Sequence, residues 1–404
     1  MTRPFEGLRV LDTTQVLAGP YCTYQLGLLG ADVVRIEAPG DKDFIRHHGP
    51  DVALNAEGLG TSFLVQNANK RSVVLDLKHA DGKALFRRLA ARSDVLVENY
   101  RPGTLQRLGL GYEMLAKENP RLIWCAITGF GQTGPWSGRP AYDHLIQGVS
   151  GLMSVTGTQA SGPVRVGFPI TDYLVGMLAG FAVSTALYQR TATGRGQMID
   201  VAMLDAALAM MGPLLGEALI GGRDPGPVGN TAYSGSPFSG VFPTAEGSVV
   251  IAANTAEQGR RLLRTLGTTE AEAVVQDRRL DNWLQHPALV ETIHPLLHAG
   301  LASHSAEEWD AIFAEADLPA GKLRTLADLL QQPHVQQRGL LQEVELPGLD
   351  RSVPLPGVGF RLGENDAGVT SPPPRYGEHT DEVLRELGCS AEEIARYRGS
   401  GALG

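Results

Sequence analysis

Through the first half of the chain, short runs rich in Val, Ile and Leu alternate with longer amphipathic stretches. Leu8-Arg9-Val10-Leu11-Asp12 reads as a strand, and Tyr21 to Leu29 as a helix stopped by Gly30. Asp32-Val33-Val34-Arg35-Ile36-Glu37 is a second strand, closed by Pro39-Gly40. Ser72 to Leu77, a helix from Asp81 to Ala91, Asp94 to Glu98, and Leu122 to Ile127 continue the alternation. The pattern predicts βαβ units and therefore an α/β fold with a Rossmann-like, doubly wound, mostly parallel sheet. Such sheets bind ligands beyond the carboxyl ends of their strands, which here carry Thr13-Thr14-Gln15, Glu98-Asn99-Tyr100 and Thr128-Gly129.

The pattern changes after residue 220. Residues 1–220 form the expected large domain, and Gly221-Gly222-Arg223-Asp224-Pro225-Gly226-Pro227 opens a linker over 221–239. A smaller α+β domain is expected over 240–335. It starts with a hairpin, Gly240-Val241-Phe242 turning through Ala245-Glu246-Gly247 into Val249-Val250-Ile251. Helical patterns follow, and Ser305-Ala306-Glu307-Glu308 begins like a capping box. Residues 336–404 return to short β runs and a final helical region, and no repeat at a fixed period is found.

Between these regions, Gly167-Phe168-Pro169-Ile170-Thr171-Asp172 ends a Gly/Pro segment ahead of a long apolar helix running toward Arg190. A carboxylate there meets unpaired backbone N–H groups at the positive helix end, which is expected to hold it anionic. Asp and Thr also cap helices routinely, so from these residues alone Asp172 is a helix cap first and a nucleophile second. The apolar stretch that follows, Leu174 to Tyr188, is too short for a membrane span and rich in Gly and Ala, so a buried helix and no membrane contact are expected.

Length and composition fit a chain of about two or three domains with a large core. Forty-nine glycines and 25 prolines point to many tight turns. Cys22, Cys125 and Cys389 are odd in number and widely scattered, and the first residues lack a charged-then-apolar leader pattern. A reduced, cytoplasmic setting is the expectation. Net charge is −9, which argues against nucleic acid as a partner. Locally, residues 66–107 hold nine Lys/Arg against four acids. A solvated helix face and a phosphate site both fit that excess.

Several chemistries fall away. Gly129-Phe130-Gly131-Gln132-Thr133-Gly134 matches the dinucleotide fingerprint, but Pro135, Gly138 and Pro140 break the segment that would have to be helical. Neither a phosphate loop of the Gly-x-x-x-x-Gly-Lys-Ser/Thr type nor a Gly-x-Ser-x-Gly elbow occurs. His47-His48 lack companions with ligand spacing, and no metal site is expected.

The remaining landmarks resemble the class III CoA-transferases, the group that includes formyl-CoA, carnitine and succinyl-CoA:dicarboxylate CoA-transferases. Five blocks carry the likeness: Gly7 to Asp12 with Ala18-Gly19-Pro20 and Leu29 to Val34; Asn69-Lys70-Arg71-Ser72 with Leu75 to Lys78; Glu98 to Gly103; Gly129 to Gln132 with Arg139 to Asp143; and Gly377 to Thr380 with Glu386-Leu387-Gly388.

The resemblance implies that Asp172, in a segment matched by Gly167 and Pro169, attacks an acyl-CoA thioester and passes CoA through an aspartyl intermediate to a carboxylic acid. It implies CoA contacts at Val16, Leu75, Lys78, Asn99, Tyr100, Arg107, Tyr142 and Met203. CoA thioesters are then substrates, with no tightly bound cofactor, and the basic segment gains a phosphate to neutralise. It also implies an interlocked homodimer. Succinyl-CoA with a short dicarboxylate is the expected pair. Where the formyl-CoA branch has Gln and Arg, this chain has Leu17 and Ala38, so formate is disfavoured. The glycine run that covers the nucleophile in that branch is matched only by a loop around Tyr233, Ser234 and Gly235.

Two other readings stay open. α-Methylacyl-CoA racemases have a histidine where Tyr142 stands, and a phenol of ordinary pKa about 10 is a poor general base. His144 lies nearby in sequence. A non-catalytic acyl-CoA-binding protein would need no nucleophile at all.

Overall fold

Strands whose residues alternate between two buried faces organise the larger part of the computed structural model, which describes residues 3–363 and 367–403. In chain order, β1 (Arg9–Asp12), α1 (Ala18–Leu28), β2 (Asp32–Glu37), β3 (Lys70–Val74), α2 (Ala80–Ala90), β4 (Val95–Glu98) and β5 (Ile123–Thr128) lead to α3 (Asp143–Val149), α4 (Ile170–Thr193), β6 (Met198–Ala202) and α5 (Met203–Met210). The six strands form one parallel sheet of order β3-β2-β1-β4-β5-β6. The order reverses between β1 and β4, where Val10 pairs with Val33 on one side and Val95 on the other. The strand β6 is absent from the periodicity reading because only its last two residues are buried.

Period-two alternation divides the core. On one face Val10, Val33, Val95, Val97, Ile123 and Cys125 pack with Cys22 and Leu26 of α1 and with Val175, Ala179 and Val183 of α4. On the other, Leu11, Val34, Leu96 and Trp124 pack with Leu85, Phe86 and Leu89 of α2 and with Val383, Leu384 and Leu387 near the C-terminus. The helices α1 and α4 approach closely because Gly176 has no Cβ; one added there would meet the Ala18 carbonyl oxygen at 2.6 Å. The rings of Tyr21 and Tyr173 lock the two helix starts edge to face, with centroids 4.7 Å apart.

The helix α4 corrects one expectation. At 24 residues, with a mean hydropathy of 1.5 over its most apolar window, it is long and apolar enough to cross a membrane by length and composition. One such helix is weak evidence, since core helices share the property, and α4 puts Val175, Ala179 and Val183 into the core. Its other side leaves Phe181 and Tyr188 70% and 81% exposed.

The chain divides into two compact units. The first comprises residues 1–155, 163–225 and 339–404 and holds the six-stranded sheet. Within it, the hairpin Leu341–Glu345 with Ser352–Pro356 and the helices Thr380–Glu386 and Ala391–Gly399 come from the C-terminal segment. Val74 N–H donates to Thr380 Oγ1, and Asp76 N–H to the Ala402 carbonyl.

The second unit comprises residues 156–162 and 226–338, so residues 226–239 of the composition-based linker cluster with it. Strands β7 (Ser239–Pro243), β8 (Ser248–Ala252) and β9 (Ala320–Lys322) form an antiparallel sheet of order β9-β8-β7. Helices α6 (Ala256–Leu266), α7 (Leu289–Leu301) and α8 (Ala306–Glu315) supply its core with Leu262, Ile293, Trp309 and Phe313 around Phe242. The capping box at Ser305 and Glu308 starts α8.

Much of the basic excess over residues 66–107 serves the fold. Lys70 is buried and pairs with Asp12 at 3.1 Å. Arg71 pairs with Asp32 and Glu386, and Arg87 with Glu118. Arg88 and Arg92 donate to the Leu387 and Glu386 carbonyls.

Candidate active site

A cleft of about 320 Å³ opens within the first unit beyond the carboxyl ends of β1, β4 and β5. That is where a doubly wound sheet opens, because the chains leaving β1 and β4 depart in opposite directions. Its wall is built from the turn Gln15–Ala18, the segment Asn99–Pro102, Ile127 and Thr128 at the end of β5, Gly129, Ser137 and residues 139–142 after it, Asp172 at the start of α4, and Met203 at the start of α5. Among the described lining residues the charged side chains are Asp172, Arg101 and Arg139.

The turn after β1 is held from several sides. Asp12 accepts the N–H and Oγ1 of Thr14 at 2.9 and 2.5 Å, and its other oxygen accepts Thr23 Oγ1 at 2.7 Å. Burial opposes a charge on Asp12, but Lys70 and Arg35 outweigh it and keep the carboxyl below the usual range. Lys70 in turn is pushed down to about 8 by burial. Asn99 clamps the next residue from both sides, accepting Gln15 N–H at 2.9 Å and donating to its carbonyl at 2.8 Å.

Val16 follows with φ 65°, a left-handed conformation that a β-branched residue seldom adopts. The buried Gln66 donates to its carbonyl at 2.7 Å. Strain of this kind costs about 1–3 kcal/mol and persists where surrounding bonds impose it. Leu17 then precedes α1 without a side-chain cap, so among the described residues no side chain accepts the first N–H groups of that helix.

Asp172 is not the cap of α4. The cap position is Pro169, which makes no side-chain cap bond, and Asp172 is the third helical residue. The neighbouring Thr171 is fixed instead by Asp143, which accepts its N–H at 2.8 Å and its Oγ1 at 2.7 Å. The second oxygen of Asp143 accepts Gln147 Nε2 at 2.7 Å. Among the described residues no hydrogen bond reaches the half-buried carboxyl of Asp172.

Burial, and then the charge of Asp143, push Asp172 up to about 7. The expectation that the helix end alone keeps it anionic therefore fails. A helix start favours an anion by about 0.3–1 kcal/mol, less than one pKa unit, and desolvation is the larger effect. Glu98, buried behind Asn99, is likewise pushed up to about 7 by burial while accepting Tyr100 N–H at 2.8 Å.

Of the residues named from the sequence, Val16, Asn99, Tyr100, Tyr142 and Met203 line the cleft with Asp172. Leu75 lies in the core at 1% exposure. Lys78 and Arg107 are exposed and outside the lining, with Arg107 donating to Thr104 Oγ1 at 3.0 Å. His144 is exposed and outside it too. Arg139 is a cleft residue to which the sequence assigned no role, and Arg101 was counted only within the basic segment, since each is recognisable only once the loops after β4 and β5 converge.

The segment Gly129–Gly134 shows why the dinucleotide pattern misleads. A Cβ on Gly129 would come within 2.2 Å of Ala141 Cβ, so this glycine admits a neighbouring loop, and the next helix begins only at Asp143. No group of three or more His, Cys, Asp or Glu that could hold a metal is found among the described residues.

Tyr233, Ser234 and Gly235 belong to the second unit. There Ser234 Oγ donates to Asn254 Oδ1 at 2.6 Å and the Ser234 carbonyl accepts Trp283 Nε1 at 3.2 Å. Gly235 has φ 64° and Tyr233 is 75% exposed.

Residues 5–380 match the model of CoA-transferase family III. The chain is 36% identical to the succinyl-CoA:glutarate CoA-transferase of Mus musculus, over 95% of this chain and 86% of that protein. It is 35% identical to the succinate–glutarate CoA-transferase of Agrobacterium fabrum, over 95% and 96%. Among solved structures it is similar to a CAIB/BAIF family protein from Brucella suis, with a TM-score of 0.84 at 32% identity over 96% of this chain and 100% of that one.

Proposed function

The chain belongs to CoA-transferase family III and is a CoA-transferase, and from that premise we propose that it moves CoA from succinyl-CoA to a second short dicarboxylate through Asp172. The donor and acceptor follow the relatives from mouse and Agrobacterium, both of which pair succinate with glutarate. The observation that carries the mechanism is the carboxyl of Asp172, unpaired on the wall of the cleft and poised near neutral pH.

In the proposed sequence, the Asp172 carboxylate attacks the thioester carbonyl, forming a mixed anhydride and releasing CoA thiolate. The thiolate attacks the Asp172 carbonyl of that anhydride, which leaves an aspartyl-CoA thioester and frees the donor acid. The acceptor carboxylate attacks the aspartyl thioester, and the returning thiolate then takes the new acyl group and restores Asp172. Thioester is exchanged for thioester, so neither ATP nor a metal is required by the balance of bonds.

Val16, Asn99, Tyr100, Tyr142 and Met203 are the proposed contacts of CoA within the cleft, and Lys78 and Arg107 are proposed partners for its phosphates. A homodimer is proposed as well, supported by the apolar side chains of Phe181, Tyr188, Leu219 and Ile220, which are 70–91% exposed on a single chain.

The test is a purified-enzyme assay of glutaryl-CoA formation from succinyl-CoA and glutarate. It is accompanied by peptide mass measurement after incubation with succinyl-CoA alone and acid quenching. CoA mass on the peptide bearing Asp172 is expected; turnover with no adduct on that peptide, under conditions that trap half-reactions, would sink the covalent route.

A further inference from the structure

Two of the three charged side chains on the cleft wall are arginines, and neither pairs with a carboxylate among the described residues. Their positions differ. Arg101 follows Asn99 and Tyr100 at the point where the sheet reverses, the region in which doubly wound folds take nucleotides. Arg139 lies in the loop after β5 that runs through Ala141 into α3, whose first residue, Asp143, fixes Thr171 beside Asp172. Arg139 thus shares the cleft wall with Asp172, and its loop leads into the helix that holds the residue before Asp172.

Its guanidinium is also oriented in advance. The Arg139 Cζ sits 4.7 Å from the centre of the Trp136 ring, and Trp136 stands edge-on to Phe130 with ring centroids 5.7 Å apart. Stacking occupies one face of the guanidinium and leaves its N–H edges to meet a planar anion two bonds at a time. A carboxylate is such an anion.

Resting on the proposed transfer between dicarboxylates, we propose that Arg139 binds the carboxylate that does not react, and so selects dicarboxylates over monocarboxylates. One carboxyl of the acid joins to Asp172 while the other pairs with the Arg139 fork. Donor and acceptor are acids of one class that visit the site in turn, so a single arginine serves both half-reactions. Trp136 acts as a positioning residue through the stack.

The test compares glutarate with butyrate as acceptor for the wild-type enzyme, Arg139→Gln and Arg139→Lys, with inhibition by free CoA as the second readout. The preference is a ratio measured within one preparation, so a partly misfolded variant does not distort it. Arg139→Gln is expected to lower the glutarate preference roughly 10–100-fold through the KM of glutarate. Arg139→Lys should keep part of the preference, since charge remains without the fork, and the inhibition constant of free CoA should hold. Equal losses toward glutarate and butyrate, or a weakened grip on free CoA with the preference intact, overturn the assignment and leave the transferase reading standing. A wild-type enzyme that transfers CoA to neither acid overturns both.

Discussion

Asp143 holds Thr171 through two hydrogen bonds, from its N–H at 2.8 Å and its Oγ1 at 2.7 Å, and the charge it brings raises the carboxyl of Asp172 one residue away. One side chain thus both fixes the backbone beside Asp172 and adds to the rise that burial gives its carboxyl. Only the ionised carboxyl can attack, and its pKa is raised to about 7, so the reactive form is lost as pH falls through 7 and complete above it. Transfer rate in the first half-reaction should rise with pH to a plateau above neutrality. Asp143→Asn removes the charge and keeps an acceptor for Thr171, so the midpoint should move to lower pH. Burial, the larger cause, remains, so the move should stay below about one unit. A pH profile with an unmoved midpoint would count against this role.

Asp172→Ala should abolish transfer while CoA still binds, because the cleft wall apart from that carboxyl is unchanged. Calorimetric titration with CoA and an assay of acyl-CoA exchange give the two readouts. Asp172→Asn should be equally inactive, which separates the need for an ionised carboxyl from the need for its size.

Asn99→Ala removes both bonds to Gln15 and loosens the turn that holds Val16 at φ 65°. The expected cost is about 1–3 kcal/mol of stability. CoA affinity should fall by more than the stability change explains, because Gln15 and Val16 both line the cleft. Thermal melts and CoA titrations of the same variant check this.

Lys70→Ala leaves Asp12 buried without its closest cation and should destabilise the protein by about 3–5 kcal/mol. Removing both partners together, as Lys70→Met with Asp12→Asn, should cost less than the single change, since no unpaired charge is left inside. Denaturant melts of the single and double variants measure the difference.

Gly176→Leu should separate α1 from α4, since even a Cβ there meets the Ala18 carbonyl oxygen at 2.6 Å. Overpacking of this kind costs about 1–3 kcal/mol. Activity should fall as well, because the start of α1 and Asp172 of α4 share the cleft wall.

The sheet was legible because its strands are buried on both faces and read as dense apolar runs; β2 matches its run Asp32–Glu37 end for end. The strand β6, half-exposed at the edge, lacks that density and was missed. Periodicity also located the turn residues at the strand ends, and Gln15, Asn99, Tyr100, Thr128 and Gly129 all line the cleft.

Local chemistry served Asp172 less well. A Gly/Pro segment before an apolar helix looks like a cap, yet Pro169 holds the cap position. Its raised carboxyl depends on burial and on Asp143, 29 positions earlier in the chain, which no local window contains. The basic segment stays open between two readings for a similar reason. Charge counting cannot separate Lys70, spent on Asp12 inside the core, from Lys78, left in solvent.

Every residue on the cleft wall lies between positions 15 and 203, yet the sheet face around Trp124 receives Val383, Leu384 and Leu387 from almost the end of the chain. The second unit is therefore an excursion that the chain leaves and comes back from before the first is complete. The first 338 residues thus contain every lining residue of the cleft, but not the side chains that cover the sheet face around Trp124.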